Sequence, residues 1–422
     1  MGDDTRKATT KATDEVGLTL EQVIRRGARQ LVQAAIEVEL AEMLAEFGNI
    51  GTLDGRRAVV RNGYLPEREI QTTIGAVPVR VPKIRDRSGT GVKFNSRLVP
   101  PYVRRSSQVS AAVPWLYLKG ISSGDMGEAL QVLLGEEAKG LSPNVVSRLK
   151  AQWSNEYTEW SKGSLKDKRY AYWWADGIHS GLREEEDARL CLLVIIGVTK
   201  EGKKELVAIA DGVRESTESW RDVLRDLKER GLCNGPLLAI GDGALGFWAA
   251  LREVYPESCH QRCWVHKTVN VINSLPKTLQ SRAKAGLQEI WMAPTRAEAG
   301  RAFDRFVDHY QVKYPKTAEK LTKDRDALLA FYDFPAEHWQ HIRTTNPVES
   351  TFATIRHRTH LTKNCVSRAT LLGLAFKLAE EAEKTWHRIK GCQRVAELLE
   401  GALFKDGVRV GKVQSDEQRL AA

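Results

Sequence analysis

Two stretches decide the fold: RYAYWWADG at residues 169–177 and RLCLLVIIGVTKEGKKELVAIADG at residues 189–212. Residues 170–175 are aromatic and strand-like, and the run stops at Asp176-Gly177. Residues 190–199 are almost continuously apolar, the pattern of a strand covered on both faces. Glu201-Gly202-Lys203-Lys204 carries turn chemistry, and residues 205–210 lead the chain back. Three strands on such short connections predict an antiparallel meander.

Working outward, Trp220, Val223, Leu224 and Leu227 recur at helical spacing within residues 216–230, ended by Gly231. A short buried strand is expected at 237–240 before Gly241-Asp242, then a helix at 245–254 and a strand at 262–265. The order β-β-β-α-β-α-β is that of an RNase H-like mixed sheet, an α/β fold. Such a sheet lays the end of its first strand beside the end of its fourth, so Asp176 and Asp242 are expected to meet. Two carboxylates held close repel each other, and hard oxygen ligands favour magnesium or manganese. Glu349, in RTTNPVES at 343–350, is the candidate third acid of a two-metal site. Asn346 suits an N-cap and Pro347 the first helical position, which puts Glu349 at the third. The residues alone leave a plainer reading open. A glutamate there completes a capping box, and Asp176-Gly177, like Asp211-Gly212, is compatible with a simple turn.

Two further patterns compete for chemistry. GDGALG at 241–246 matches the dinucleotide-binding spacing. The strands before it form a meander instead of a βαβ unit, and the next strand ends at Val265-His266-Lys267, where a ribose-binding acid should stand. Cys259, His260, Cys263 and His266 are zinc-ligand types. A strand through Cys263 and Trp264 would send their side chains to opposite faces, which favours packing over a metal site.

Lysine and arginine number 64 against 54 acids, a formal charge of +10 on 422 residues of otherwise ordinary composition. Residues 51–110 hold twelve basic side chains and four acidic ones. Arg56, Arg57, Arg61, Arg80, Lys83 and Arg85 in this stretch are candidate contacts to DNA phosphates. A hairpin is expected inside it: Ile70, Thr72 and Ile74 alternate, Gly75-Ala76 turns, and Val77, Val79 and Val81 alternate again. The stretch before it, residues 19–47, has helical periodicity, with Thr19 and Gln22 placed for a capping box and Gly48 at the stop, as one helix or two. After it, residues 126–134 and 144–153 read as helices around a turn at 135–141, a possible helix-turn-helix with Arg148 and Lys150 on its second helix. The longest apolar run, 190–198, is far short of the roughly 20 residues a membrane span needs. No signal-peptide core follows Met1, and six scattered cysteines do not make a disulfide framework. The expectation is a cytoplasmic protein with reduced thiols and no membrane partner.

Taken together, RNGY (61–64), YLKGIS (117–122), WADGIH (174–179), GDGALGFW (241–248), QRCWVHK (261–267), FPAEHW (334–339) and RTTNPVES (343–350) resemble, in order and spacing, the bacterial insertion-sequence transposases of the mutator type. The likeness runs from about residue 61 to residue 407. It implies DDE chemistry, with Asp176, Asp242 and Glu349 as catalytic and metal-binding acids, Mg2+ or Mn2+ as cofactor, and Cys263 and His266 supporting the site. It also implies an all-α insertion at 267–341, which accounts for the 107 residues separating Asp242 from Glu349. The leucines and aromatics of this insertion are spaced as in helices, with Pro276, Pro294 and Pro315 as breaks, and its Trp291 reads as core. The expected organisation is a helical region (1–50), a basic β-containing region (51–110), a helical region (111–165), two core parts (166–266 and 342–390) around the insertion, and a C-terminal tail (391–422). Arg343, Arg356 and Arg358 around the Glu349 helix are further candidates for phosphate contact. The partners implied are inverted-repeat ends and target DNA, handled by a homodimer or larger synaptic complex. The alternative is a non-catalytic, sequence-specific DNA-binding protein derived from such an element.

Overall fold

The structure, a computed structural model, describes residues 19–52, 54–122, 124–134, 143–181, 189–213, 215–243, 245–361 and 367–412. The chain divides into two compact units, Met1–Leu149 and Lys150–Ala422.

In the first unit, α1 (Leu20–Glu46) is one helix of 27 residues. The Thr19 side chain accepts from the Gln22 N–H and the Gln22 side chain accepts from the Thr19 N–H, so the expected capping box is present. Its Ile36 and Leu40 are buried with Val59, Ile70, Val77, Val79 and Ile84. Those residues come from two antiparallel pairs, β1 (Val59–Tyr64) with β4 (Pro82–Asp86) and β2 (Arg68–Thr72) with β3 (Gly75–Val79). The hairpin turns at Thr73-Ile74, two residues before the expected place. Gly75 carries the positive φ of 100° that begins β3, and Arg25 donates to the Ile74 carbonyl at 3.1 Å. Helices α2 (Ser107–Leu118) and α3 (Met126–Leu134) follow, then α4 (Pro143–Ser161), which runs well past residue 153 and crosses the boundary between units. The expected turn at 135–141 lies outside the described residues.

The second unit is built on a five-stranded sheet of β5 (Tyr172–Gly181), β6 (Arg189–Val198), β7 (Lys204–Val213), β8 (Leu238–Gly241) and β9 (Cys259–Arg262), in the order β7-β6-β5-β8-β9. The first three form the antiparallel meander; β8 pairs parallel to β5, and β9 parallel to β8. Helices α5 (Thr217–Glu229) and α6 (Leu245–Val254) complete the β-β-β-α-β-α-β succession. On one face, Trp173, Leu193, Ile195 and Val207 pack with Trp220, Leu224 and Leu251. On the other, the Tyr172 hydroxyl bonds His338 Nδ1 at 2.6 Å and Trp174 Nε1 donates to the His341 carbonyl at 3.1 Å.

Between β9 and α13 (Asn346–Leu361) the regular structure is helical: α7 (Trp264–Ile272), α8 (Lys277–Met292), α9 (Arg296–Gln311), α10 (Pro315–Thr322), α11 (Arg325–Leu329) and α12 (Trp339–Ile342), with two short 3-10 turns. Pro276 precedes α8 and Pro315 opens α10, so proline punctuates this region as expected. After it, α14 (Arg368–Glu383) packs on β7, with Glu383 accepting from the Leu206 N–H. The segment 391–422 is more than a tail. It carries α15 (Gln393–Leu399) and a hairpin of β10 (Ala402–Lys405) and β11 (Val408–Lys412), turned at Asp406-Gly407 where both φ are positive. Phe404 and Ala402 bury against the rest of the unit, which the polar sequence around them masked.

Two boundaries differ where chemistry is concerned. β5 does not end at Asp176 but continues to Gly181, paired residue by residue with β6. β9 ends at Arg262, and Cys263 is the N-cap of α7 instead of a strand residue. The Lys267 N–H already closes a helical turn onto the Cys263 carbonyl at 3.0 Å.

Candidate active site

Ala175 on β5 is in register with Gly241 on β8. Asp176 and Asp242 are the next residue on each of two parallel neighbours, about 4.8 Å apart across the sheet. Asp176 is mostly buried, and its Oδ1 accepts from the Gly177 N–H at 2.9 Å. Burial first, then the charges of Asp242 and Glu349, push its carboxyl up to about 6. Trp248 Nε1 donates to the Asp242 carbonyl at 3.0 Å and steadies the turn that carries this acid.

A fourth acid, unread in the sequence, joins them. Glu215 precedes α5, and its carboxyl is pushed up to about 7 by burial and by Asp242 and Asp176. It folds over β5 only because residue 177 is glycine: a Cβ there would stand 2.1 Å from Glu215 Oε1. Gly246 makes room for the same segment, since its Cβ would meet the Glu215 carbonyl oxygen at 2.4 Å, and Gly243 makes room for Arg262. Two glycines of the dinucleotide-like pattern are therefore accounted for by close packing. The available signal for Glu215 was its place between β7 and the Ser216 N-cap of α5, which is equally that of an ordinary loop acid.

Helix α13 begins at Asn346, one residue earlier than expected, so Thr345 holds the position before it and Glu349 falls one step beyond a capping box. The Thr345 carbonyl accepts the Glu349 N–H at 3.1 Å, and the Thr345 hydroxyl donates to Glu349 Oε1 at 2.7 Å. Thr345 is completely buried. Its N–H donates to Cys263 Sγ at 3.3 Å, and its hydroxyl oxygen lies 3.4 Å from both Cys263 Sγ and His266 Nδ1. His266 Nε2 is 3.9 Å from Glu349 Oε1. A hydrogen bond with Cys263, and then the charges of Cys263, Asp242 and Asp176, outweigh burial and lift the imidazole to about 9. Burial pushes the Cys263 thiol up, but hydrogen bonds with His266 and Thr345 prevail and hold it below its usual value.

The structure thus sets Asp176 beside Asp242 and ties Cys263 and His266 to Glu349. Among the described residues, the one set of three potential metal ligands with atoms all within 4.8 Å of one another is Cys263, His266 and Glu349, without either aspartate. The expectation that Cys263 merely packs in a strand is corrected by its N-cap position, which turns it and His266 toward the same hydroxyl. Cys259 is exposed at the start of β9 and the His260 ring lies 4.8 Å from Trp248, so neither belongs to this set. The five described cysteines are free thiols.

Among the expected DNA contacts, Arg56, Arg57, Arg61, Arg80, Lys83 and Arg85 are all exposed. Arg61 is paired with Glu37 at 2.9 Å and Arg80 with Glu67 at 2.8 Å, so α1 acids and Glu67 offset part of the basic stretch. Arg148 is exposed on α4 and Lys150 half-buried. Two arginines near Glu349 are placed differently from the expectation. Arg358 is 1% exposed and cannot reach a phosphate from there. Arg343 is turned inward, donating to the carbonyls of Trp291 and Trp339 and lying 5.4 Å over the Phe331 ring. Arg356 lies on α13, where its side chain is outside the described set. Trp291 packs its ring 5.1 Å from that of Trp264 and is half-buried, so it lies at the edge of the packing and not within the core.

The family model described as "Transposase, Mutator family" matches residues 3–389. The chain is 59% identical over 304 residues to the transposase for insertion sequence element IST2 of Acidithiobacillus ferrooxidans, covering 70% of this chain and all of that one. It is 49% identical over 299 residues to the transposase for IS6120 of Mycolicibacterium smegmatis, 71% of this chain and 92% of that one. A more distant likeness, 27% over 387 residues, joins it to the transposase for ISRM5 of Rhizobium meliloti across 90% of this chain and 92% of that one. With a family match over nearly its whole length and the paired acids of its sheet, the chain belongs to the Mutator family of transposases.

Proposed function

We propose that this transposase binds the terminal inverted repeats of its own insertion sequence and cuts and joins DNA strands by a DDE mechanism on an RNase H-like core, with Asp176, Asp242 and Glu349 holding two Mg2+ or Mn2+ ions. The observation that carries this is the register of β5 and β8, which seats two aspartates side by side with Glu349 and Glu215 adding charge to the same place. The donor set fits the ions. Carboxylates crowded until they retain protons near pH 6 lack sufficient positive charge of their own, and hard oxygens suit magnesium and manganese. Cys263, a soft donor engaged by Thr345, stands outside that set. When bound, the ions polarise the scissile phosphate and make an attacking water or 3′ hydroxyl more acidic.

The residues of the chain do the rest. Asp176 is fixed in the middle of a strand and gives the site its rigid side. Glu349 is aimed by the Thr345 hydroxyl. Glu215, titrating near neutrality, is suited to take up a proton as a strand is cut. His266, as an imidazolium, supplies part of the opposing charge. The exposed basic side chains of the first unit and Arg148 serve the DNA backbone. Two ends and a target call for a homodimer or larger assembly, and a DNA substrate supports the reading of a cytoplasmic protein. Among the described residues no helix is long and apolar enough to cross a membrane. The alternative, a DNA-binding protein without catalysis, has no use for acids placed so that Asp242 raises the carboxyls of both Asp176 and Glu215.

The test is strand joining in Mg2+ with DNA ends taken from the flanks of the reading frame. Wild type is expected to join ends to target only with the divalent cation present. Asp242→Ala is expected to bind ends and join none; joining by that variant would refute the assignment.

A further inference from the structure

We infer that Thr345 is a positioning residue for the site: its buried hydroxyl orients the Glu349 carboxylate, backed by Cys263 and His266. This deepens the metal-dependent reading above and rests on it. A hydroxyl has one hydrogen to give. The 2.7 Å contact to Glu349 Oε1 is the shortest it makes and takes that hydrogen. A lone pair is then left for His266 Nδ1 at 3.4 Å, and Cys263 Sγ, an acceptor also at 3.4 Å, takes only the weaker share of that hydrogen. The neighbouring Thr345 N–H, donated to Cys263 Sγ at 3.3 Å, stops the residue from turning away. The N-cap of α7 and the start of α13 are thereby joined through one side chain, and the Trp264 N–H bonded to the Arg343 carbonyl at 2.9 Å holds the same two segments together.

The consequence is directional. Glu349 is placed four residues after Thr345 on the first turn of a helix, where a long side chain has several rotamers open to it. A bond from a fixed, completely buried donor selects among them before any ligand arrives, and a partner that orients a metal ligand commonly accounts for roughly 10–100-fold in metal affinity or activity. This role needs the hydroxyl and not the methyl group, so threonine and serine serve it and valine does not.

The experiment uses the full chain as wild type, Thr345→Val and Thr345→Ser. Two quantities are read: the Mn2+ concentration at half-maximal thermal upshift without DNA, and the rate of strand joining at saturating Mn2+. Thr345→Val is expected to need at least about tenfold more Mn2+ for the upshift, with DNA-end binding and metal-free melting close to wild type. Thr345→Ser is expected within about threefold of wild type in both readouts, a margin below the loss assigned to the hydroxyl. The inference is overturned if Thr345→Val matches wild type, or if Thr345→Ser is as impaired as Thr345→Val, which would assign the effect to packing of the methyl. Should the valine variant misfold, Thr345→Ala carries the same expectation with less steric demand. If wild type itself shows neither an upshift nor joining with Mn2+, it is the metal-dependent reading that fails.

Discussion

Replacing Asp176 by asparagine should make the metal-free protein more stable while removing its activity. The Asp176 carboxyl, ordinarily 3.8, is pushed up to about 6 by burial and by Asp242 and Glu349. A carboxylate whose folded value is raised costs stability as pH climbs from the unfolded value to the folded one, and the loss is complete above it. At ~1.36 kcal/mol per pH unit the cost reaches about 3 kcal/mol above pH 6. Asparagine keeps the oxygen that accepts from Gly177 and carries no charge, so it escapes this penalty. For a unit of this size, 1 kcal/mol corresponds to roughly 2–4 °C in Tm. In EDTA at pH 8 the variant should therefore melt about 6–12 °C above wild type, the same sum expressed as temperature. At pH 5, inside the titration window, the gain should fall to about half. Adding Mn2+ at 100 times its Kd should nearly cancel the difference, since it stabilises the form that binds it by about 2.7 kcal/mol. At 1,000 times its Kd, with about 4.1 kcal/mol, it should reverse the order. Differential scanning calorimetry at the two pH values, with and without Mn2+, reads all of this. A Tm for Asp176→Asn at or below wild type in EDTA at pH 8 would show that the acids are already neutralised within the protein.

Other consequences concern the neighbours of that acid and the basic face. Gly177→Ala should expel the Glu215 carboxylate from the cluster, leaving Tm nearly unchanged because a flexible side chain yields, while the pH dependence of metal-free stability shrinks; a collapse in Tm would show that the strand itself gives way. Glu215→Gln should remove the part of the pH–rate profile that lies near 7, and an unaltered profile between pH 6 and 8 would exclude Glu215 from proton handling. Arg358→Ala should lower stability and leave the salt dependence of DNA binding as it was, since this arginine is buried. Replacing both Arg56 and Arg57 should do the reverse, flattening the slope of log K against log salt by up to about 1.8 if each meets a phosphate.

The meander and the parallel return of β8 were legible because Trp173, Leu193 and Val194 belong to runs too apolar and too short for anything but a covered sheet. Their order alone placed Asp176 beside Asp242. The capping box of α1 was legible for the same reason, since Thr19 and Gln22 act through local spacing. What escaped depends on contacts between distant segments. Glu215 looks like a loop acid until Gly177 opens a space for it. Thr345 looks like an ordinary residue ahead of the Asn346 cap until Cys263, 82 residues away, is folded against it. The inward turn of Arg343 needs the carbonyl of Trp291, and the burial of Arg358 needs the packing of α13; neither is written in the charge pattern that suggested DNA. Cys263 was misplaced because the expected strand covered 262–265, whereas the strand ends at Arg262 and the helix that starts at Trp264 is set by its neighbours.

The continuation of β5 beyond Asp176 has a mechanical meaning. Five residues past the acid remain bonded to β6, so Asp176 sits inside a ladder held along both directions of the strand. Asp242 and Glu349, by contrast, stand where a short strand ends and a helix begins. Hydrogen-bonded interiors open less readily than the ends of elements. In the proposed two-metal site, the adjustment that accepts a cation or a distorted strand of DNA would fall on the two outer acids, with Asp176 as the anvil against which they close.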